Sequence, residues 1–86
     1  PPYKYVAEML CDKTAAGIVY AGEKWTKDYE LQYYLKERDR LKINKKLDGL
    51  FFEFFTKLST DGIDGTFKKQ YVKNLYNKYT SENNNQ

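Results

Sequence analysis

The chain has 86 residues and a formal net charge of +3, with no histidine and one cysteine. A chain of this length forms one domain at most and buries only about 60–65% of its unfolded surface, so its core must be densely packed. A lone cysteine excludes an internal disulfide and favours a reducing, cytoplasmic location. No run approaches the roughly 20 apolar residues of a membrane span, and the mild positive charge argues against a nucleic-acid binder.

The first predicted element is a helix over residues 3–20, in which Val6, Met9 and Leu10 recur at helical spacing. Gly17 either ends this helix early or allows a neighbouring element to approach closely, and Gly22 is the firmer stop. Residues 17–20 could instead be extended, but no second alternating run exists to pair with them. We therefore assign them to a helix end or a loop.

After a connector over residues 23–25, Thr26 is the predicted N-cap of a second helix that extends to about Arg38. Asp28 and Glu30 would then lie near the positive end of the helix dipole. The candidate packing residues of this helix are Tyr29, Leu31, Tyr33, Tyr34 and Leu35.

Asn44 is predicted to cap the third and clearest helix, with Phe52 to one side of its apolar stripe. The stripe consists of Leu47, Leu50, Phe51, Phe54, Phe55 and Leu58, at alternating intervals of three and one. Gly62 is expected to end this helix in the left-handed conformation, with Ile63 folding back on the last turn. A fourth helix follows over residues 68–79, with Tyr71, Val72, Leu75, Tyr76 and Tyr79 inward.

These elements predict an all-α fold, a compact bundle of about four helices with short loops. Residues 1–80 would form a single helical domain and residues 81–86 a disordered tail, because the tail has nothing to bury. The chain begins Pro1-Pro2 rather than with methionine. We therefore expect it to be the C-terminal part of a longer protein.

The candidate chemistry lies in the first helix, where Glu8 and Asp12 are four residues apart in mostly apolar sequence. Such residues share a helix face with about 5–6 Å between their Cβ atoms, and two carboxylates so placed repel unless a cation or proton lies between them. Each could form a salt bridge, with Lys4 or Lys13 for example, or Asp12 and less favourably Glu8 could ligate a divalent metal. Cys11 is expected to be a small buried apolar residue, because no histidine is present to activate it.

A second candidate is a basic segment formed by Lys36, Arg38, Arg40, Lys42, Lys45 and Lys46. A charged solvated helix end is the default interpretation, and an anion-binding surface is the alternative. Residues 61–65 resemble part of a calcium loop but lack its remaining ligands, so we interpret them as a turn. No phosphate-binding glycine loop, zinc spacing or catalytic triad is present, which argues against a free-standing hydrolase or transferase.

The run from Lys4 to Asp12, followed by Ala15-Ala16-Gly17, Tyr20, Gly22 and Trp25-Thr26, resembles a family of uncharacterised bacterial and bacteriophage proteins. In that family a Pro-x-x-Tyr-x-x-Glu-Met-x-Cys-Asp helix follows a histidine-rich N-terminal half, an arrangement similar to the HD-type metal-dependent phosphohydrolases. The resemblance implies that Asp12 is a late acidic metal ligand and Glu8 its neighbour. Every histidine of the family's site is absent, so this chain alone could not assemble it.

Two hypotheses follow. In the first, the chain is the C-terminal helical part of an HD-like metal-dependent hydrolase. Residues outside this chain would then complete the site that binds the divalent metal. In the second, it is a non-catalytic helical interaction or oligomerisation module. For that module the sequence predicts a homodimer, or a missing N-terminal half, packed on the exposed face of the first helix, the helix that carries Val6, Met9 and Leu10.

Overall fold

The computed structural model describes residues 1–81, and over these residues the chain is all-α with four helices and no β-strand, as predicted. The helices are α1 (Tyr3–Ala21), α2 (Tyr29–Glu37), α3 (Lys45–Thr66) and α4 (Lys69–Thr80), and one 3₁₀ turn (Gly22–Lys24) follows α1. None of the four combines the length and the apolar character that a membrane crossing requires. The predicted disordered tail lies, apart from Ser81, outside the described residues.

The first helix continues without interruption through Gly17 and ends at Ala21, so residues 17–20 are helical. Gly22 follows with a φ of 57°, a conformation that glycine adopts at little cost, and its N–H bonds to the carbonyl of Ile18. The prediction that Gly22 is the firmer stop is confirmed. Of the two roles open to Gly17, the structure shows the close approach, described below.

The second helix begins later than predicted. Asp28, not Thr26, is the residue before its first turn, and no side chain caps it. Residues 27 and 28 form a turn instead, in which the N–H of Tyr29 bonds to the carbonyl of Thr26. The N-cap prediction was therefore wrong by two residues, because the backbone carbonyl of Thr26 and not its hydroxyl closes the turn.

The third helix lies between α2 and α4 and supplies most of the core. The side chain of Asn44 accepts a hydrogen bond of 2.8 Å from the N–H of Leu47, which confirms the predicted cap. The helix does not end at Gly62: it kinks there, at a φ of 77°, and continues for one more turn to Thr66. Ile63 is 37% exposed and does not fold back into the core.

All four helices contribute to one hydrophobic core, in which aromatic rings of α2, α3 and α4 meet. Tyr34 lies edge-on to Phe51, and Phe54 lies edge-on to both Phe55 and Phe67, with ring centres 5.1–5.9 Å apart. Each fully buried Phe stabilises the fold by about 1.5–3 kcal/mol. The buried set is Val6, Leu10, Tyr34, Leu50, Phe51, Phe54, Phe55, Leu58, Val72 and Leu75.

Candidate functional site

Glu8 and Asp12 both lie on the solvent-exposed side of α1. The buried side of this helix carries Val6, Leu10 and Thr14. A residue two positions further along a helix is rotated by about 200°, which turns both carboxylates away from the core. Neither makes a hydrogen bond or salt bridge within residues 1–81. The prediction of an acidic couple embedded in apolar helix surface is therefore wrong.

No cluster of three or more His, Cys, Asp or Glu side chains among the described residues could hold a metal ion. Metal ligation by Asp12, with Glu8 beside it, stays a prediction about a site completed outside this chain. Its direct test compares the metal content of the protein with and without Asp12→Ala. Cys11, expected to be buried, is exposed, because it lies on the same outer side of the helix.

The apolar face of α1 is already covered by the chain itself. Val6 and Leu10 are fully buried in the core, and Met9 is partly buried and packs against it. A dimer or an N-terminal half packed on this face would have to displace α2, α3 or α4. Packing of a second copy or of an N-terminal half on another side of α1 stays a prediction, as does oligomerisation itself.

The six side chains of the basic segment differ in their partners: the two arginines form ion pairs, and the four lysines do not within the described residues. Arg38 binds the carboxylate of Asp48 at 2.7 Å, and Arg40 pairs with Glu37 at 3.2 Å. The four lysines are exposed, and none forms a salt bridge within the described residues: Lys36, Lys42, Lys45 and Lys46. An anion-binding surface here stays a prediction that now depends on the lysines alone.

The structure contains a cleft that was not predicted, between the second half of α1, the start of α2 and the middle of α3. It has a volume of about 540 Å³ and is partly open to solvent. Its lining is dominated by aromatic and small residues, with one carboxylate and one ammonium: Lys13, Ala16, Gly17, Tyr20, Tyr29, Glu30, Tyr33, Tyr34, Leu41 and Phe55.

Glu30 is the carboxylate of this cleft, and only 5% of its surface is exposed. Its Oε2 accepts a hydrogen bond of 2.7 Å from the indole N–H of Trp25. Its carboxyl group lies directly against the backbone of Gly17, where an added Cβ would be 2.6 Å from Oε1 and 2.7 Å from Cδ. The missing side chain at position 17 therefore makes room for the carboxyl group of Glu30.

The electrostatics of Glu30 follow from this position. Burial raises the pKa of its carboxyl group above the ordinary value of 4.5, because the charged form loses its hydration. The hydrogen bond from Trp25 and the charge of Lys13 both lower the pKa and oppose that rise. A buried acid with a raised pKa in a cleft is a recognised mark of a functional site.

Tyrosine rings form much of the cleft wall. Tyr29 and Tyr33, one helical turn apart on α2, stack with their ring centres 6.4 Å apart and their planes at 15°. Tyr20 projects from the end of α1 and is 88% exposed. The ring of Tyr34 is buried, and its hydroxyl donates to the carboxylate of Asp48. Burial, and to a smaller extent that hydrogen bond, raise the pKa of Tyr34, so its hydroxyl stays protonated.

The sequence pattern indicated only a helix-dipole position for Glu30 and did not predict this site. One signal was available, because Glu30 and Tyr34 are one helical turn apart and therefore share a face of α2. Glu30 therefore lies on the apolar face of a tyrosine-rich helix, and Gly17 leaves space for a close neighbour. Together these two features offer a second interpretation of Glu30, as a buried carboxylate, beside its interpretation as a residue near the helix dipole. The contact between positions 17 and 30 depends on how α1 and α2 pack.

Comparisons of the chain with protein-family models, with curated proteins and with solved structures find no significant match.

Proposed function

We propose that this chain is a non-catalytic helical binding module whose ligand occupies the cleft between α1, α2 and α3. The observation that carries the proposal is Glu30, a nearly buried carboxylate that lines this cleft. Burying a carboxylate costs free energy unless it is fully hydrogen-bonded. The described chain supplies one donor, the indole of Trp25, which leaves Oε1 without a partner.

The size and lining of the cleft support the same proposal. Small-molecule sites are concave cavities of roughly 300–1,000 Å³ with mostly apolar walls and a few polar groups that orient the ligand. The cleft has a volume of 540 Å³, tyrosine and small-residue walls, and one carboxylate. The chain has no histidine to serve as a general base at neutral pH, which favours binding over catalysis.

The test is a fragment screen on the ¹⁵N-labelled chain, read by ¹H–¹⁵N NMR spectra. We expect bound fragments to shift the indole N–H of Trp25 and the amides of Gly17 and Glu30. Ala16 lines the cleft and is exposed, whereas its exposed neighbour Ala15 does not line it. Ala16→Phe should therefore abolish the shifts, and the matched control Ala15→Phe should retain them.

Two results would contradict the proposal. One is the absence of any fragment that shifts the cleft resonances at millimolar concentration. The other is a set of shifts that survives in Ala16→Phe, because the fragments would then bind elsewhere on the surface.

A further inference from the structure

The chemistry of the ligand can be read from the free oxygen of Glu30. Its Oε2 is occupied by Trp25, whereas its Oε1 accepts no hydrogen bond from residues 1–81. Among the described residues, the fully enclosed side-chain polar atoms without a hydrogen-bond partner are the hydroxyl oxygens of Thr14 and Thr66. Oε1 of Glu30 also lacks a partner but is not one of these enclosed atoms. Oε1 is therefore accessible from the cleft, where a donor on a ligand would complete the coordination of the carboxylate.

The walls favour a donor that carries positive charge. The face of a tyrosine ring is electronegative, and a cation within about 6 Å of the ring centre is attracted to it. Tyr20, Tyr29 and Tyr33 all line the cleft, where the rings of Tyr29 and Tyr33 stack on each other with their planes at 15°. Aromatic walls beside a single carboxylate are a recurrent arrangement for the recognition of ammonium groups.

The ammonium group of Lys13 does not occupy this position. Its Nζ lies 5.8 Å from the centre of the Phe51 ring, and no salt bridge joins it to Glu30. Its charge instead lowers the pKa of Glu30 and favours the ionised form. The other titratable groups that line the cleft are the hydroxyls of its four tyrosines. Glu30 is therefore the only lining group that can carry the negative charge at neutral pH.

We infer that the ligand of this cleft is a small organic ammonium compound, whose nitrogen donates to Oε1 of Glu30 and whose apolar body lies against Tyr29 and Tyr33. This inference rests on the proposed function and adds the charge and class of the ligand. The volume of the cleft matches a small molecule rather than a folded partner.

The experiment compares three probes of similar shape and different charge: phenethylamine, 2-phenylethanol and 3-phenylpropanoate. Binding is read from the fluorescence of Trp25, which is the only tryptophan of the chain and bonds directly to Glu30. At pH 7 we expect the amine to bind at least tenfold more tightly than the alcohol, and the carboxylate to bind less tightly than either. Binding of the amine should weaken as the pH falls and Glu30 takes up a proton.

Two variants locate the charge that is responsible. Glu30→Gln keeps the shape and an acceptor for Trp25, and should reduce amine binding to the level of the alcohol. Asp28→Asn removes the same charge from an exposed position two residues away and should leave amine binding unchanged. Circular dichroism spectra of both variants check that the helices are retained.

Equal affinities for the amine and the alcohol, or an amine preference that persists in Glu30→Gln, would overturn the ammonium assignment and leave the binding-module proposal intact. Failure of all three probes to bind would also overturn the ammonium assignment. The fragment screen decides the binding-module proposal separately, since it makes no assumption about charge.

Discussion

Replacing Gly17 with alanine tests whether the contact between α1 and α2 is as close as the structure shows. In an open position of a helix this change stabilises by about 1 kcal/mol, because alanine is the better helix former. Here the new Cβ would lie 2.6 Å from Oε1 of Glu30, well inside normal contact distance. Overpacking of this kind costs about 1–3 kcal/mol. We therefore expect the free energy of unfolding to fall by about 1 kcal/mol, a reversal of the ordinary sign.

The assay is urea unfolding followed by circular dichroism, with the fluorescence of Trp25 as a local probe. Displacement of Glu30 would weaken its hydrogen bond with Trp25, so the emission of Gly17→Ala should change in the folded state. The matched control is Ala15→Gly, an exposed position on the same helix, which should destabilise by about 1 kcal/mol through helix propensity alone. The reasoning is refuted if Gly17→Ala stabilises by as much as Ala15→Gly destabilises and leaves the emission unchanged.

Three further predictions concern side chains with measurable electrostatic or capping roles. Because the pKa of Glu30 is raised on folding, its ionisation destabilises the native state, and stability declines as the pH rises from about 4.5 through the folded pKa. Glu30→Gln should therefore be more stable than the parent chain at pH 7 and no more stable at pH 4. Urea unfolding at the two pH values measures this, and an equal difference in free energy of unfolding at both pH values would contradict it. Asp48 has its pKa lowered by the hydrogen bonds from Arg38 and Tyr34, so its stabilising contribution is present above the ordinary value of 3.8 and is lost as the pH falls through the lowered value. Asp48→Ala should also cost about 1–3 kcal/mol, because the buried Tyr34 hydroxyl loses its main acceptor. Tyr34→Phe in the same background should then recover part of this loss in thermal unfolding, because it removes the unpaired hydroxyl. Asn44→Ala should cost about 1 kcal/mol in urea unfolding through the lost helix cap, whereas Asn44→Asp should cost little.

The parts of the fold that were predictable are those controlled by neighbours along the chain. The stripe from Leu47 to Leu58 repeats at helical spacing, and five of its six positions are buried in the structure. The cap at Asn44 and the stop at Gly22 depend on backbone groups within four residues, so local sequence was sufficient to locate both. The extra turn after Gly62 was not predicted. A glycine with positive φ ends some helices, whereas in others it joins two helical segments across a kink, and the local sequence does not distinguish the two cases.

The sequence by itself determined that this chain is helical, approximately where its helices begin and end, and which face of α3 enters the core, because those properties follow from local periodicity and short-range hydrogen bonds. Only the tertiary structure decided which carboxylates are buried. Glu8 and Asp12 stand out in the sequence, yet they face solvent, because the rotation of α1 is set by the packing of Val6 and Leu10. Glu30 is buried because its side chain packs against α1 at Gly17. A contact between residues thirteen positions apart depends on the arrangement of two helices, which no local pattern specifies.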